Sequence, residues 1–230
     1  MKACALVPAL DAARTLADVL SELRVAMPNV DVLVIDDGSR DGTAAIARDA
    51  GARVLSHART RGKGASLRTG LEEARRLGCD AAVSVDADGQ HPGASARLVL
   101  EATDDAHALV LGVRDLVAAK APPANVWSNG ISNYWLSRFA RRTFKDTQCG
   151  LRRYPVRTTL ELGGRADGFA FEAEILLRAV AAHVPIVEEP IVVRYPPKRT
   201  THFHVVRDPA RITFAVARTA LELHLFWRAP

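Results

Sequence analysis

Two aspartates stand two residues apart at the end of a short apolar run. Asp86 and Asp88 follow residues 81–85, which read as a buried strand, and Gly89 permits a sharp turn before Pro92 opens a helix. Side chains two apart in an extended segment project to the same side, so we expect both carboxylates to face one crevice. Paired carboxylates suit a hard divalent cation, Mg²⁺ or Mn²⁺, that can also hold phosphate oxygens. The pattern also fits a solvated Asp-Gly turn.

Strand and helix patterns alternate on both sides of this pair. Short apolar runs predict strands at residues 4–7, 31–35, 53–56, 81–85 and 108–113, with helical patterns at 14–26, 44–50 and 65–77. Strands separated by single helices predict an α/β fold with a mainly parallel sheet covered on both faces.

Polar or glycine-rich residues follow every predicted strand. They are Pro8, Asp36 and Asp37, the region before Gly62, Asp86 and Asp88, and Arg114. The carboxyl ends of parallel strands share one edge of the sheet, which is where open α/β sheets bind ligands. We therefore expect these residues to surround one site.

Two familiar nucleotide-binding devices do not fit this chain. The first strand-to-helix turn, residues 8–11, lacks the glycines of a dinucleotide fingerprint, and Lys63 precedes Gly64 where a Walker loop requires Ser or Thr. A nucleoside diphosphate held through a metal ion is the better fit. Lys63 stands between glycines at a predicted helix start, so it is either an anion contact or a surface lysine.

The length of 230 residues fits one large domain or two small ones, of which we expect a single domain over residues 1–230, and the composition is ordinary for a globular protein. The net charge of +5 favours anionic partners, but the basic residues form no recognition helix for nucleic acid. No apolar run is long enough to span a bilayer, and the chain opens without a secretion signal. The three scattered cysteines suit a reducing compartment. We expect a cytoplasmic protein that can contact the inner face of the membrane.

Five motifs, in order, resemble those of family-2 glycosyltransferases, most nearly the dolichol-phosphate mannose synthases and polyprenyl-phosphate glucosyltransferases. They are residues 7–9 (VPA), 34–43 (VIDDGSRDGT), 61–64 (RGKG), 86–92 (DADGQHP) and 146–150 (DTQCG). The resemblance covers residues 4–195. It implies a GT-A fold and inverting transfer of a hexose from a nucleotide sugar, GDP-mannose or UDP-glucose, to a lipid phosphate.

The resemblance also implies residue roles. Asp86, Asp88 and Gln90 would hold the metal and the sugar diphosphate, while Asp36 and Asp37 would line the base and ribose site. The residues assigned to the nucleotide-sugar site are Pro8, Ala9, Asp11, Asp36, Asp37, Lys63, Asp86, Ala87, Asp88 and Arg114. The half over residues 1–115 would bind the donor, residues 116–208 the acceptor, and residues 209–230 would form a C-terminal helix.

The chain departs from the family pattern in two places. Leu10, Asp11 and Ala12 stand where the family usually has Tyr-Asn-Glu, and the missing glutamate normally helps to bind the nucleotide. Asp11 could partly replace it from one position earlier. A basic residue expected between Pro122 and Asn133 is also absent, which would shift the contacts to the acceptor phosphate.

The acceptor decides whether the reaction needs a base. A phosphate monoester is already anionic at neutral pH, whereas a hydroxyl needs a carboxylate or histidine within hydrogen-bond reach. Asp146 is the candidate base, or else a structural acid of its turn, and Gln148 is a candidate contact to sugar or acceptor. A non-enzymatic nucleotide-sugar or membrane-binding module is the remaining alternative.

The second half of the chain supplies the predicted acceptor side. A helix over 125–142 carries an aromatic stripe that predicts core more readily than lipid contact. Glu172 or Glu174, at the start of the next helix, is a candidate site acid. The basic loop after a strand at 186–193 resembles one that closes over the phosphates, with Arg199 as its leading contact and Arg194 and Lys198 in support. The last helix, predicted over 209–227, could lie on a membrane or pack on protein.

Overall fold

The structure, a computed structural model, describes residues 1–195 and 207–223, with backbone alone for 207–211. The strands are β1 (Ala3–Ala9), β2 (Asp31–Asp36), β3 (Arg53–Ser56), β4 (Ala81–Ser84), β5 (Leu109–Arg114), β6 (Arg152–Pro155) and β7 (Ile186–Ile191). The helices are α1 (Leu16–Ala26), α2 (Thr43–Asp49), α3 (Lys63–Arg76), α4 (Gly93–Glu101), α5 (Pro123–Ala140), α6 (Val156–Glu161), α7 (Ala170–Ala181) and α8 (Arg207–Glu222).

All seven strands form one sheet in the order β3-β2-β1-β4-β6-β5-β7. β6 runs antiparallel to both of its neighbours, and the other pairs are parallel. The prediction of a mainly parallel α/β sheet is therefore confirmed. It missed β6, whose sequence Arg-Arg-Tyr-Pro has no apolar signal although all four residues are buried.

Two apolar layers cover the faces of the sheet. Alternate residues of β1 divide between them: Cys4 and Leu6 join a cluster that includes side chains of α3 and α7, while Ala5 and Val7 join one that includes α1 and α4. α4 approaches α1 so closely that a β-carbon on Gly93 would overlap the Glu22 carbonyl. This tight contact fixes α4 directly behind the turn that carries Asp86 and Asp88.

The two arginines of β6 are both completely buried. Arg152 donates to the carbonyl oxygens of Cys149 (2.9 Å), Glu172 (2.7 Å) and Thr147 (2.7 Å). Buried cations must be compensated by hydrogen bonds, and this fan of three carbonyls does so while tying the 147–149 turn to the start of α7. Arg152 thus helps to position these two segments relative to one another.

The prediction that the aromatic stripe of α5 belongs to the core holds for Leu136 and Phe139, which join or pack against the core cluster, and is wrong for the other members, which face solvent. Trp127, Tyr134 and Trp135 are 73%, 64% and 50% exposed, whereas Asn129 and Leu136 are the buried residues of the helix. The spacing of apolar residues predicts that they share one face of the helix, but it does not predict whether another element covers that face.

The last described helix, α8, packs against α7 and begins two residues earlier than predicted. An ion pair of 2.8 Å between Arg178 and Glu222 joins the two helices. The predicted end of the helix at residue 227 lies outside the described residues. Among the described helices, none has the length and apolar composition to cross a membrane.

Candidate functional site

The turns after β1 and β2 are tied to one another. Asp36 accepts a hydrogen bond from the Ser39 amide (3.0 Å), and Asp11 accepts one from the Arg40 amide (2.8 Å). The backbone of Asp11 is left-handed, with φ of 47°, and its amide donates to the Ser39 hydroxyl (2.9 Å). Asp11 therefore supports the loop after β2, alongside the strand end that carries Pro8 and Ala9.

Asp37 organises the turn that leads into α3. Its carboxylate accepts the amides of Arg61 (2.9 Å) and Gly62 (2.7 Å), and the Nδ1 atom of His57 lies 2.6 Å from it. The residue is buried, so these three partners give it a structural role. Its predicted contact with the base or ribose stays a prediction.

Lys63, the first residue of α3, is held between two carboxylates from different parts of the chain. Its ammonium nitrogen lies 2.6 Å from Asp86 Oδ1 and 3.2 Å from Glu172 Oε1. Burial alone would lower the pKa of Lys63, but the two carboxylates outweigh it and raise the pKa. Lys63 is therefore a permanently charged residue of the site, which rules out the surface-lysine alternative.

The two candidate acids of α7 have different surroundings. Glu172 approaches Lys63, whereas Glu174 accepts the amides of Arg165 (2.8 Å) and Ala166 (2.6 Å) and pairs with Arg178. Only Glu172 belongs to the site. The sequence alone could not distinguish it from Glu174, because both acids stand in the same helical turn.

The turn that carries the aspartate pair differs from the extended segment predicted for it. β4 ends at Ser84 and a turn begins at Ala87, so the two carboxylates do not follow strand geometry. Asp86 turns to Lys63, and Asp88 accepts the Gln90 amide (3.0 Å). The Thr15 hydroxyl donates to the Ala87 carbonyl (2.6 Å), and the Arg194 amide donates to that of Gln90 (2.8 Å). The turn is held from both sides.

His91 is a buried residue of the same turn, and the sequence analysis did not single it out. Burial lowers its pKa to about 4, so the imidazole is neutral near pH 7. Its Nδ1 atom has no hydrogen-bond partner among the described residues. Its position directly after Gln90 is a signal that the sequence did contain.

Arg114 and Asp146 form a bidentate ion pair at the end of β5. The guanidinium contacts the carboxylate at 2.7 and 2.9 Å, and the amides of Arg114 and Gln148 each donate to it at 3.2 Å. The Asp146 side chain has no exposed surface. The geometry favours the structural alternative for Asp146 over a catalytic base.

Gln148 and Arg199 complete the set of predicted site residues. The Gln148 side-chain amide donates to the carbonyl and hydroxyl oxygens of Ser128 (3.3 and 3.0 Å), so this side chain is turned toward α5. Arg199 and Lys198 lie outside the described residues.

The donor atoms of the turn fit a hard divalent cation. Asp86, Asp88 and Gln90 offer carboxylate and amide oxygens, the ligands that Mg²⁺ and Mn²⁺ prefer. Lys63 already pairs with one oxygen of Asp86, whereas the buried Nδ1 atom of His91 in the same turn has no hydrogen-bond partner among the described residues. No group of three His, Cys, Asp or Glu side chains within residues 1–195 and 207–223 forms a metal cluster on its own, so such an ion would need ligand oxygens as well.

Gly150 allows Lys63 and Asp86 to meet. A β-carbon at this position would overlap Asp86 Oδ2 and lie 2.5 Å from the Lys63 nitrogen. We predict that Gly150→Ala lowers the transfer activity expected from the sequence about 10- to 100-fold, because a displacement of about 1 Å in a reacting site has that cost. Steady-state kinetics checks this, with Gly42→Ala as control, since a β-carbon there meets only Ile46 at 3.8 Å. Equal activity of both variants would contradict the prediction.

Comparisons with known proteins identify the family of this chain. The profile of glycosyl transferase family 2 matches residues 4–153. Glycosyltransferase AglJ of Haloferax volcanii is 29% identical over 94% of this chain and 71% of its own. The undecaprenyl-phosphate mannosyltransferase of Micrococcus luteus is 28% identical over 83% of both chains. Polyprenol monophosphomannose synthase of Mycolicibacterium smegmatis is 27% identical over 81% of this chain and 75% of its own.

Solved structures share the fold. The glucosyl-3-phosphoglycerate synthase of Mycobacterium tuberculosis, crystallised with Mn²⁺, UDP and phosphoglyceric acid, has a TM-score of 0.76 at 18% identity, over 96% of this chain and 78% of that one. Mannosyl-3-phosphoglycerate synthase of Rubrobacter xylanophilus has a TM-score of 0.70 at 21% identity, over 100% and 78%. The GT-A fold and the enzyme class expected from the sequence are confirmed: the chain belongs to glycosyl transferase family 2.

Proposed function

We propose that this enzyme transfers a hexose from a nucleoside-diphosphate sugar to a polyprenyl phosphate at a membrane surface, with inversion at the anomeric carbon. The donor is GDP-mannose or UDP-glucose, and residues 1–115 bind it while residues 116–208 bind the acceptor. Relatives named as mannosyltransferases and mannose synthases of polyprenyl phosphates support this proposal.

The proposal of a phosphate acceptor rests on the hydrogen bonds that the Asp146 carboxylate already accepts. A hydroxyl acceptor needs a base with a free acceptor position, and Asp146 is buried with four hydrogen bonds from Arg114 and Gln148. A phosphate acceptor brings its own negative charge and needs orientation alone. Because Asp146 is buried and already hydrogen-bonded, the structure of this turn favours a phosphate nucleophile over a hydroxyl.

Each residue of the cluster has a role in the proposal. Asp86, Asp88 and Gln90 would hold Mg²⁺ or Mn²⁺, which when bound neutralises the leaving diphosphate. Lys63 adds fixed positive charge beside Asp86, and Glu172 holds its ammonium in place. Pro8, Ala9, Asp11, Asp36 and Asp37 shape the base and ribose side, and Arg114 belongs to the nucleotide-sugar site. Gln148 would contact the sugar or the acceptor, and Arg199 would contact the phosphates.

A transfer assay tests the proposal. Radiolabelled GDP-mannose or UDP-glucose is incubated with a polyprenyl phosphate, with Mg²⁺, Mn²⁺ or a chelator. We expect label in the organic phase with one donor and its loss with the chelator. A water-soluble product would indicate a hydroxyl acceptor. Absence of turnover with clear nucleotide binding in a thermal-shift measurement would indicate a binding module.

A further inference from the structure

The outer face of α5 is apolar where a surface helix is ordinarily polar. At about 100° per residue, Trp127, Ile131 and Tyr134 fall on one side of the helix, opposite the buried Asn129 and Leu136. Ile131 is 41% exposed, and Trp135 borders the same side. We call Trp127, Ile131, Tyr134 and Trp135 the α5 outer face. Contiguous exposed apolar side chains of this kind mark an interaction surface.

The segment around this face carries all of the net charge of the chain. Residues 116–145 hold five of the 31 lysines and arginines and none of the 26 aspartates and glutamates, so the rest of the chain has 26 of each sign. The five are Lys120, Arg138, Arg141, Arg142 and Lys145. Arg138 continues the outer face one turn after Tyr134 and is itself exposed. The partner of this face must therefore accept both aromatic rings and positive charge.

A cavity lies along the flank of the same helix. Its volume is about 470 Å³, and its lining includes Val126, Gly130 and Asn133 of α5 together with Arg114 and Lys145. On the helical wheel these α5 residues are adjacent to the outer face, so a molecule in the cavity would lie beside whatever covers Trp127 and Tyr134.

We infer that the α5 outer face docks this protein on an anionic bilayer surface, with the aromatic rings at the headgroup level and the arginines against lipid phosphates. Trp and Tyr favour this interfacial layer, and basic side chains near it are attracted by anionic lipids. The inference rests on the proposed function in one respect: the cavity beside this face would receive the phosphate end of a membrane-embedded acceptor.

Charge argues against a second copy as the occupant. Two chains that met through this face would bring two acid-free segments of five cations together, and like charges in an interface oppose association. A bilayer with anionic headgroups complements this charge.

Vesicle binding tests the inference without any acceptor present. Wild-type protein is co-sedimented with vesicles of phosphatidylcholine mixed with phosphatidylglycerol, and with phosphatidylcholine alone. We expect binding to the mixed vesicles that weakens with added salt. The double variant Trp127→Ser, Trp135→Ser should bind at least about tenfold more weakly, since the rings supply the apolar contact, and Arg138→Glu should lose the preference for anionic lipid. Val25→Ser, at an 82% exposed position of α1, is the matched control and should bind like the wild type.

Three results would overturn the inference: wild-type binding by the double variant, equal wild-type binding to both kinds of vesicle, or a wild-type dimer in solution that the double variant dissociates. Failure of the proposed function is distinguishable from these. Transfer to a short-chain, water-soluble polyprenyl phosphate should be the same for the wild type and the double variant, because Trp127 and Trp135 line neither the cavity nor the reacting cluster. Vesicle binding without any transfer would contradict the proposed function alone.

Discussion

Asp88→Ala should abolish divalent-dependent sugar transfer and leave the fold intact. Asp88 lies in the turn after β4 and is only partly buried, so its removal deletes no core contact. The ion that it would hold supplies several kcal/mol of charge stabilisation at the leaving diphosphate, which corresponds to a loss of about a thousandfold in kcat/KM. Measurements of kcat/KM against Mn²⁺ concentration, with thermal melting of the same samples, check both parts.

Asp105→Ala is a matched control for this variant. Asp105 accepts the His107 amide (2.8 Å) just as Asp88 accepts the Gln90 amide (3.0 Å), so both substitutions remove the same kind of turn hydrogen bond. Asp105 precedes β5, so it lies at the amino ends of the parallel strands, whereas the site lies at their carboxyl ends. The control should keep its transfer rate. An Asp88→Ala enzyme with wild-type rate and metal response would refute the metal assignment.

Lys63→Met should destabilise the protein at neutral pH by about 2 to 4 kcal/mol. The substitution keeps the unbranched shape of the side chain, one atom shorter, but leaves Asp86 and Glu172 together without their cation, and breaking a buried ion pair is strongly unfavourable. The estimate lies toward the low end of the range for such pairs because the Asp86 side chain is 30% exposed. Denaturant unfolding of the two proteins gives the difference directly.

The pH dependence of that difference identifies its cause. Burial would raise the pKa of Asp86, but Lys63 outweighs it and lowers the pKa, so the wild-type pair stabilises the fold above the ordinary carboxyl pKa of about 4 and loses that contribution as the pH falls. The variant loses the largest charge that opposes burial, so the pKa of Asp86 rises, and protonation of Asp86 relieves its repulsion with Glu172. The deficit should therefore be largest at pH 7 and shrink toward pH 4. A deficit that is constant with pH, or a stability equal to that of an exposed-lysine variant such as Lys145→Met, would contradict this account.

Much of the site could be predicted from local sequence because its signals are local. The apolar runs before Asp36 and Asp86 fixed the strands, and polar residues directly after them had to lie at one edge of a parallel sheet. The position of Lys63 between glycines at a helix start likewise singled it out. The chemical class follows from these neighbours in sequence, and the family comparison agrees with it.

The roles of the acids depended on partners far away in the chain. Asp146 is paired with Arg114, which stands 32 residues earlier in the chain. Glu172, rather than Glu174, approaches Lys63. Nothing in the residues around Asp146 or Glu172 encodes those distances, since the availability of a carboxylate depends on which donors the fold brings to it.

Burial, too, was decided by tertiary structure alone. Sequence periodicity places β-branched and aromatic residues on a face, and it assigned the α5 stripe to the core and passed over the charged strand β6. In the folded chain the guanidinium of Arg152 finds three carbonyls and goes inside, while Trp127 finds no covering element among the described residues and stays out. The sequence determined the order of elements and the chemistry at their ends. Only the packing of remote segments determined which side chains became interior, which became paired and which stayed available, because burial and pairing belong to neighbours in space.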